Sequence, residues 1–465
     1  VKTIPAGKNL ADEVVDIFVD GVLPVYNGTD ITMTTKGGNV VADKYNDTNT
    51  SVDFVVSLVT TDATLTAGTV QMVAKIEPNG WTNIGDAYTI KAADVTAGKA
   101  TVNVLSAPIE GLTSFATDGV IKIKATVTDK AGNSKDWAES GNTLTIDVTV
   151  PTIASASSTT NAGVYKATDN INVTLGFSEA VTMFNDDLDI ILNTTATIAL
   201  ASGTISNVTT KSATYTVAVG ETTPDIAEIS AATLAVTQVN STAGELRDQA
   251  GNPMVLPVTN FPIKIADAKA ISVDGVSPTA LTVDKVIATG NTVRHKYWNA
   301  VNTGVEIKVP LTDTDKTLID GKVKIKAKLS NSGTWDYIGD WSTITSAELT
   351  AEVKVMTLIA ADIAAYTGAD ANIIEFTAGV KDKAGNETEW TKSTQTLIVD
   401  KTPPATQQVT ATITAVDGNV VANYWNSTNT SITVKVDFPV DATLDNGEVV
   451  LTASEDGANY TDFGD

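Results

Sequence analysis

Apolar and polar residues alternate along many short stretches of this chain. Val120–Thr128 reads VIKIKATVT, with Ile121, Ile123, Ala125 and Val127 on one face and Lys122, Lys124, Thr126 and Thr128 on the other. Lys322–Leu329 places Val323, Ile325, Ala327 and Leu329 opposite four lysines, and Ile432, Val434, Val436 and Phe438 repeat the pattern. A period of two with one polar face predicts half-buried antiparallel strands. Asn79-Gly80, Asp320-Gly321, Ser332-Gly333 and Asn446-Gly447 fall between such runs and supply residues that accept a positive φ. Pro310 and Pro439 interrupt strand-like runs, which predicts sheet edges or bulges there. Long amphipathic helices are missing; one short helix is expected near Ala360–Tyr366. Many short strands with frequent turns predict an all-β chain of β-sandwiches.

A second pattern has a much longer period. Asp-x-x-x-Pro occurs at Asp20–Pro24, Asp147–Pro151, Asp274–Pro278 and Asp400–Pro404, at steps of 127, 127 and 126 residues, each time after a short apolar run. Such spacing predicts tandem domains. Residues 1–20 then read as the end of a preceding domain, followed by domains at 21–150, 151–277 and 278–403. Residues 404–465 read as the start of a fourth, so the sequence reads as a segment of a longer protein. Tyr45, Tyr165, Tyr297 and Tyr424 each open a similar tract. Asp129-Lys-Ala-Gly-Asn133, Asp248-Gln-Ala-Gly-Asn252 and Asp382-Lys-Ala-Gly-Asn386 precede the boundaries. The boundary prolines fix φ and restrict the residue before them, so a semi-rigid, elongated array is expected.

The repeats fall into two types. The first and third share GWTNIGDAYTI (80–90) and GTWDYIGDWSTI (333–344), and the fourth begins like them. The second differs. Its tracts at 165–181, 215–234, 246–252 and 269–279 resemble a class of bacterial immunoglobulin-like surface repeats. Elsewhere the resemblance rests on the Asp-x-Ala-Gly-Asn and boundary motifs. It implies immunoglobulin-like sandwiches strung into stalks or lattices at an extracellular cell surface, often stiffened by calcium.

Composition narrows the function. The net charge is −24, and the only arginines are Arg247 and Arg294, which argues against nucleic-acid binding. There is no cysteine, so bracing must come from packing or metal ions. No stretch is apolar and long enough to span a bilayer, so no membrane insertion is expected in this segment. His295 is the single histidine and stands where other repeats have none, which argues against a Ser-His-Asp triad and against a zinc cluster. No phosphate-binding glycine loop occurs. The chain is therefore not expected to be an enzyme.

The Asp-x-Ala-Gly-Asn tracts have two readings. In one they are tight turns, with Gly132, Gly251 and Gly385 at positive φ and the Asp and Asn side chains bonding nearby amides. In the other they contribute to calcium sites. Hard cations need several carboxylate and carbonyl oxygens at once. Asp129, Asp248 and Asp382 are each expected near a domain end, close to Asp147, Asp274 and Asp400, and a boundary carboxylate could also meet a loop carboxylate of the next unit. The acidic run Asn185–Asp189 reads as a solvated loop. The pairs Trp81/Trp335, Trp137/Trp390 and Trp298/Trp425 are equivalent between repeats and read as packing residues. Eleven Asn-x-Ser/Thr sequons, among them Asn46, Asn49, Asn426 and Asn429, leave glycans as a partner class. The other expected partners are copies of the chain or neighbouring repeats. The expected function is a segment of a surface layer or filament. The alternatives are the stalk of a large adhesin and accessory modules of a secreted hydrolase.

Overall fold

The computed structural model describes residues 19–224, 226, 233–404, 412–438 and 440–462. Pro439 and all but the last two residues of 1–20 lie outside the described residues, so the expectations placed on them are not addressed. Packing divides the chain into two compact units, Val1–Pro224 with Ala232–Val273, and Asp225–Ala231 with Asp274–Asp465. Three large buried cores occur, spanning 31–146 and 153–273 in the first unit and 283–399 in the second.

The first repeat contains β1 (Thr32–Lys36), β2 (Lys44–Tyr45), β3 (Ser51–Ser57), β4 (Thr69–Ile76), β5 (Thr82–Thr89), β6 (Lys99–Leu105), β7 (Val120–Thr128), β8 (Ser134–Asp136) and β9 (Leu144–Ile146). One sheet has the order β1-β3-β6; the other runs β2-β9-β7-β4-β5, with β8 also on β7. The alternation in β7 buries Ile121, Ile123, Ala125 and Val127 and leaves the lysines on the outer face. Both sheets send side chains into one core, Phe54 and Val104 from the first and Met72 and Ile123 from the second. Each fully buried Val, Ile or Phe contributes about 1.5–3 kcal/mol.

The second repeat is built differently. It has β10 (Ile153–Ser157), β11 (Gly163–Tyr165), β12 (Asn170–Phe184), β13 (Leu188–Leu192), β14 (Thr197–Leu200), β15 (Val208–Thr216), β16 (Val236–Asn240), β17 (Glu245–Asp248) and β18 (Ile271–Val273). β12 is the longest strand. It pairs with β10, β15 and β17, and its register on β15 shifts between Gly176 and Val181. A separate sheet has the order β14-β13-β16.

The third repeat returns to the first design. Its strands are β19 (Val286–Gly290), β20 (Tyr297–Trp298), β21 (Asn302–Pro310), β22 (Lys322–Leu329), β23 (Asp336–Thr343), β24 (Val353–Ile359), β25 (Ile373–Lys381), β26 (Glu387–Glu389) and β27 (Leu397–Val399). Sheet orders β19-β21-β24 and β20-β27-β25-β22-β23, with β26 on β25, reproduce those of the first repeat. In the fourth repeat, β28 (Thr412–Val416) pairs with β29 (Ser431–Lys435), and β30 (Thr452–Ala453) with β31 (Thr461–Asp462).

Three local expectations change. Pro310 is not on an edge strand: β21 is the middle strand of its sheet, and Pro310 closes it opposite Val353. A proline at a strand terminus costs little of the ladder. The helix near Ala360 is a 3-10 turn confined to Ala360–Ile363. Short helices α1 (Ala92–Ala97), α2 (Ser106–Glu110), α3 (Ile265–Ala268) and α4 (Ser346–Thr350) form where no periodic run is long enough to register in sequence. The conserved-looking tyrosines do not open long strands. Tyr45, Tyr165 and Tyr297 instead make short parallel pairings with the last strand of their own repeat. Trp137, Trp298 and Trp390 are buried, Trp81 and Trp335 lie against lysines, and Trp425 is exposed. No helix among the described residues is long and apolar enough to cross a membrane.

Candidate metal centre

The Asp-x-Ala-Gly-Asn tracts fold as one closed turn, three times over. The glycines take φ values of +95° at Gly132, +98° at Gly251 and +94° at Gly385, a region that a β-carbon disfavours. Oδ1 of Asp248 accepts the amides of Ala250, Gly251 and Asn252 at 2.7–2.9 Å, and Oδ2 accepts Asn252 Nδ2 at 2.7 Å. Asp129 and Asp382 hold their loops in the same way through Asn133 and Asn386. The aspartate is the hub of the turn, and the turn fixes where its carboxylate sits.

The closing asparagine reaches backward along the chain. Asn133 Nδ2 donates to the Asp20 carbonyl at 3.1 Å, Asn252 to that of Asp147 at 2.9 Å, and Asn386 to that of Asp274 at 2.8 Å. Each loop is thereby fastened to the boundary aspartate about a hundred residues before it. Loop and boundary carboxylates therefore meet as Asp248 with Asp147 and Asp382 with Asp274. Of the two pairings the sequence offers, a boundary carboxylate with the loop carboxylate of the following repeat forms at Asp147 and Asp248. Each loop turns toward the entry of its own repeat, because the asparagine clamp is the bond available there. No Asp-x-Ala-Gly-Asn tract occurs in 404–465 to face Asp400, whose amide donates to the Trp298 carbonyl at 2.8 Å.

The boundary aspartates share a turn of their own. Oδ1 of Asp20, Asp147 and Asp274 accepts the amide two residues on, from Val22, Thr149 and Val276, at 3.0–3.2 Å. Oδ2 is then free for something else. In Asp20 and Asp274 it is buried without a hydrogen-bond partner, and Asp274 as a whole is 1% exposed. A buried carboxylate oxygen with no partner is costly and calls for an explanation.

A third carboxylate completes the group. Oxygens of Asp147, Glu179 and Asp248 all lie within 4.8 Å of one another. Glu179 sits inside the irregular part of β12, between Gly176 and Val181, where the register shift re-aims the strand. Asp248 lies beside it because Val181 pairs with Asp248. In the third repeat a further carboxylate, Asp315, adds its charge to Asp274 and Asp382 from a different element. Asp315 caps the 3-10 turn Lys316–Leu318 by accepting the Thr317 amide at 3.0 Å, and the Thr317 carbonyl receives the Lys383 amide at 2.8 Å.

The electrostatics follow from crowding. Burial, then the charges of Asp248 and Asp147, push Glu179 up to about 7. Burial, then the charges of Asp382 and Asp315, do the same to Asp274. Asp147 is raised by burial and by Asp248, against the Thr149 amide. Asp382 is raised by burial, with Asp315 adding to it against the hydrogen bonds from Asn386 and Gly385. In Asp129 burial acts in the same direction, but hydrogen bonds from Asn133, Ala131 and Gly132 outweigh it and leave the group below its usual range. Closely spaced carboxylates that are hard to ionise together suit a cation that neutralises them. The donors are all oxygen, which selects a hard ion, and three carboxylates plus water can reach the six to eight ligands calcium takes.

The sequence reading missed Glu179 and Asp315. A signal existed for the latter. Asp62-Ala-Thr-Leu65, Asp315-Lys-Thr-Leu318 and Asp441-Ala-Thr-Leu444 recur at the domain period, and each aspartate caps a 3-10 turn. Glu179 carries no such mark, because its position depends on the bulge. The other candidates are ordinary. Asp186 and Asp187 bond the Ala243 and Ser202 amides, and His295 is exposed. Among the sequons, Asn46, Asn49 and Asn386 are buried and hydrogen-bonded, which closes them to glycans.

These sheets define a chain of tandem immunoglobulin-like β-sandwiches. No family model matches the sequence, and no curated protein matches it. Among solved structures, the chain is similar to one from a 1.5-MDa bacterial ice-binding adhesin, described in terms of host cell surface retention. That match has 18% identity over 81% of this chain and 100% of the other, with a TM-score of 0.34. Others are the FN1–FN3 domains of chicken CNTN1, at 9% identity over 80% of this chain and 100% of the other with a TM-score of 0.23, and a titin domain segment, at 10% over 80% and 99% with 0.25. Likeness at this level carries no functional argument.

Proposed function

We propose that this chain is a structural element of an extracellular cell surface, a run of immunoglobulin-like repeats in a layer or filament, in which calcium at a carboxylate cluster fixes the second repeat to the first. One observation carries the reading. Asp147 directly follows β9, the last strand of the first repeat, while Glu179 and Asp248 belong to the body of the second. An ion held by all three ties the exit of one sandwich to the core of the next. The unpartnered Oδ2 of Asp274 supports ion binding within the third repeat as well.

Asp147, Glu179 and Asp248 would hold the ion in the second repeat, and Asp274, Asp315 and Asp382 in the third. The ion would supply charge neutralisation and cross-linking, with no chemistry on a substrate. Calorimetric titration of the full chain with calcium tests this, beside Glu179→Gln and Asp274→Asn. The reading expects uptake that each variant reduces by one class of site, with a matching loss of thermal stabilisation. Absence of uptake by the unmodified chain at millimolar calcium overturns it.

A further inference from the structure

The Asp248–Asn252 loop has a second face, and the first repeat is seated on it. Asn46 is fully buried and donates Nδ2 to the Ala250 carbonyl at 2.6 Å. Asn39 Nδ2 donates to the Gly251 carbonyl at 2.9 Å, and the Asp47 amide donates to Asn252 Oδ1 at 2.8 Å. Three hydrogen bonds thus run from the Asn39–Asn49 region of one repeat to the turn whose hub is Asp248.

Gly251 records how close the approach is. A β-carbon there would lie 2.9 Å from Asn46 Nδ2 and 3.1 Å from both the Asn39 carbonyl and its Cβ. A β-carbon at the equivalent Gly132 would meet nothing within 4 Å. The two glycines differ by only a few degrees in φ, +95° and +98°, so the turn alone does not account for the crowding at Gly251. The seated neighbour does.

Bonds within the first repeat shape the socket. Asn49 Oδ1 accepts the Asn46 amide, and Asn46 Oδ1 accepts the Thr48 amide, both at 2.9 Å. The same internal bonds shape Asn299–Asn302 and Asn426–Asn429. Asn299 Nδ2 goes to the Thr292 carbonyl of its own repeat, with no Asp-x-Ala-Gly-Asn loop bonded to it among the described residues.

We infer that the Asn39/Asn46 loop is a socket for the Asp-x-Ala-Gly-Asn turn of the following repeat, and that seating this turn sets the calcium affinity of the cluster behind it. The calcium half rests on the function proposed above; the socket half does not. Asn39 and Asn46 are positioning residues: they touch the loop backbone, and Asp248 is the member of that loop whose carboxylate belongs to the cluster. An unseated turn must be ordered before Asp248 can bind an ion, so socket and ion stabilise each other by the same factor.

The test uses the full chain with Asn39→Ala, Asn46→Ala and Gly251→Ala, and with Asn299→Ala and Gly132→Ala as controls. Asn39→Ala is the mild variant, since its side chain bonds only the Gly251 carbonyl. In chelator, amide exchange across 248–252 should speed up at least about fivefold in the three socket variants and stay unchanged in the controls. With calcium, affinity at the second-repeat site should fall by a similar factor in the same three. Unchanged exchange in Asn39→Ala and Gly251→Ala overturns the socket. Faster exchange with unchanged calcium affinity overturns the coupling. If the unmodified chain takes up no calcium, the proposed function and the coupling fall together, and the exchange in chelator still decides the socket.

Discussion

The second and third repeats both crowd carboxylates at their entry, by different routes: oxygens of three gather within 4.8 Å of one another in the second, while in the third Asp382 and Asp315 add their charge to Asp274. Both use a boundary aspartate and a loop aspartate, joined by an asparagine clamp. The third carboxylate is Glu179 on an irregular strand in one and Asp315 at the cap of a 3-10 turn in the other. Their sheets differ in strand order, and their cores share no tryptophan position, the second repeat having none. What the repeats keep in common is the charge at the entry, carried on two different frameworks.

The sharpest way to break the comparison is at the hub of the turn. Asp248→Ala and Asp382→Ala each remove an acceptor of two or more backbone amides and one side-chain amide in a buried setting. Each should cost about 3–5 kcal/mol, read as a lower denaturant midpoint for the affected repeat. Equal losses would support equal roles. A loss confined to one repeat would show that the frameworks use the loop differently.

Calcium comes next. An ion at a hundredfold excess over its dissociation constant stabilises a repeat by about 2.7 kcal/mol, a rise in Tm on the order of 10 °C. Glu179→Gln should remove this from the second repeat alone and Asp315→Asn from the third alone. Asp274→Asn should have a two-way effect: a higher Tm in chelator, where it relieves buried repulsion, and a smaller response to calcium.

Breaking the socket separates the first repeat from the second. Asn46→Ala should cost about 2 kcal/mol, because a buried side chain loses partners on both sides, while Asn299→Ala at its more exposed position should cost under about 1 kcal/mol. Calorimetric unfolding of both variants checks this.

The smallest effect is with pH. The folded values of Glu179 and Asp274, each about 7, lie above their ordinary values. Between those limits the native state holds more protons than the unfolded one, so stability in chelator is greatest at the acid end and is lost as pH rises through about 7. Tm in chelator should therefore fall by a few degrees from pH 5 to pH 8. With saturating calcium, which needs the ionised carboxylates, the trend should reverse.

The strands were legible because a two-residue period needs only local information. β7 and β22 bury the residues that the alternation places inward. The tight turns were legible for the same reason, glycine at positive φ with an aspartate to receive amides. The short helices were not, since four to six residues carry no periodic signal and their ends are fixed by contacts with the sheets. Of the two expectations for the strand of Pro310, the edge failed, because a proline reports a missing donor and not what lies on either side, while the irregularity is present as a register shift of β21 on β19 near Thr303.

The sequence by itself determined the alternating faces, the repeat period, the recurring aspartates and the excess of negative charge, all properties of residue type and spacing. Tertiary structure decided which aspartates meet. Asp248 lies 101 positions after Asp147 and 26 before Asp274, and the sequence left both pairings open. The asparagine clamp and the bulge in β12 select the first, since a hydrogen bond across a sandwich depends on where strands end in space. The socket on the first repeat was equally hidden, because a surface made by two separately folded sandwiches has no period in either one.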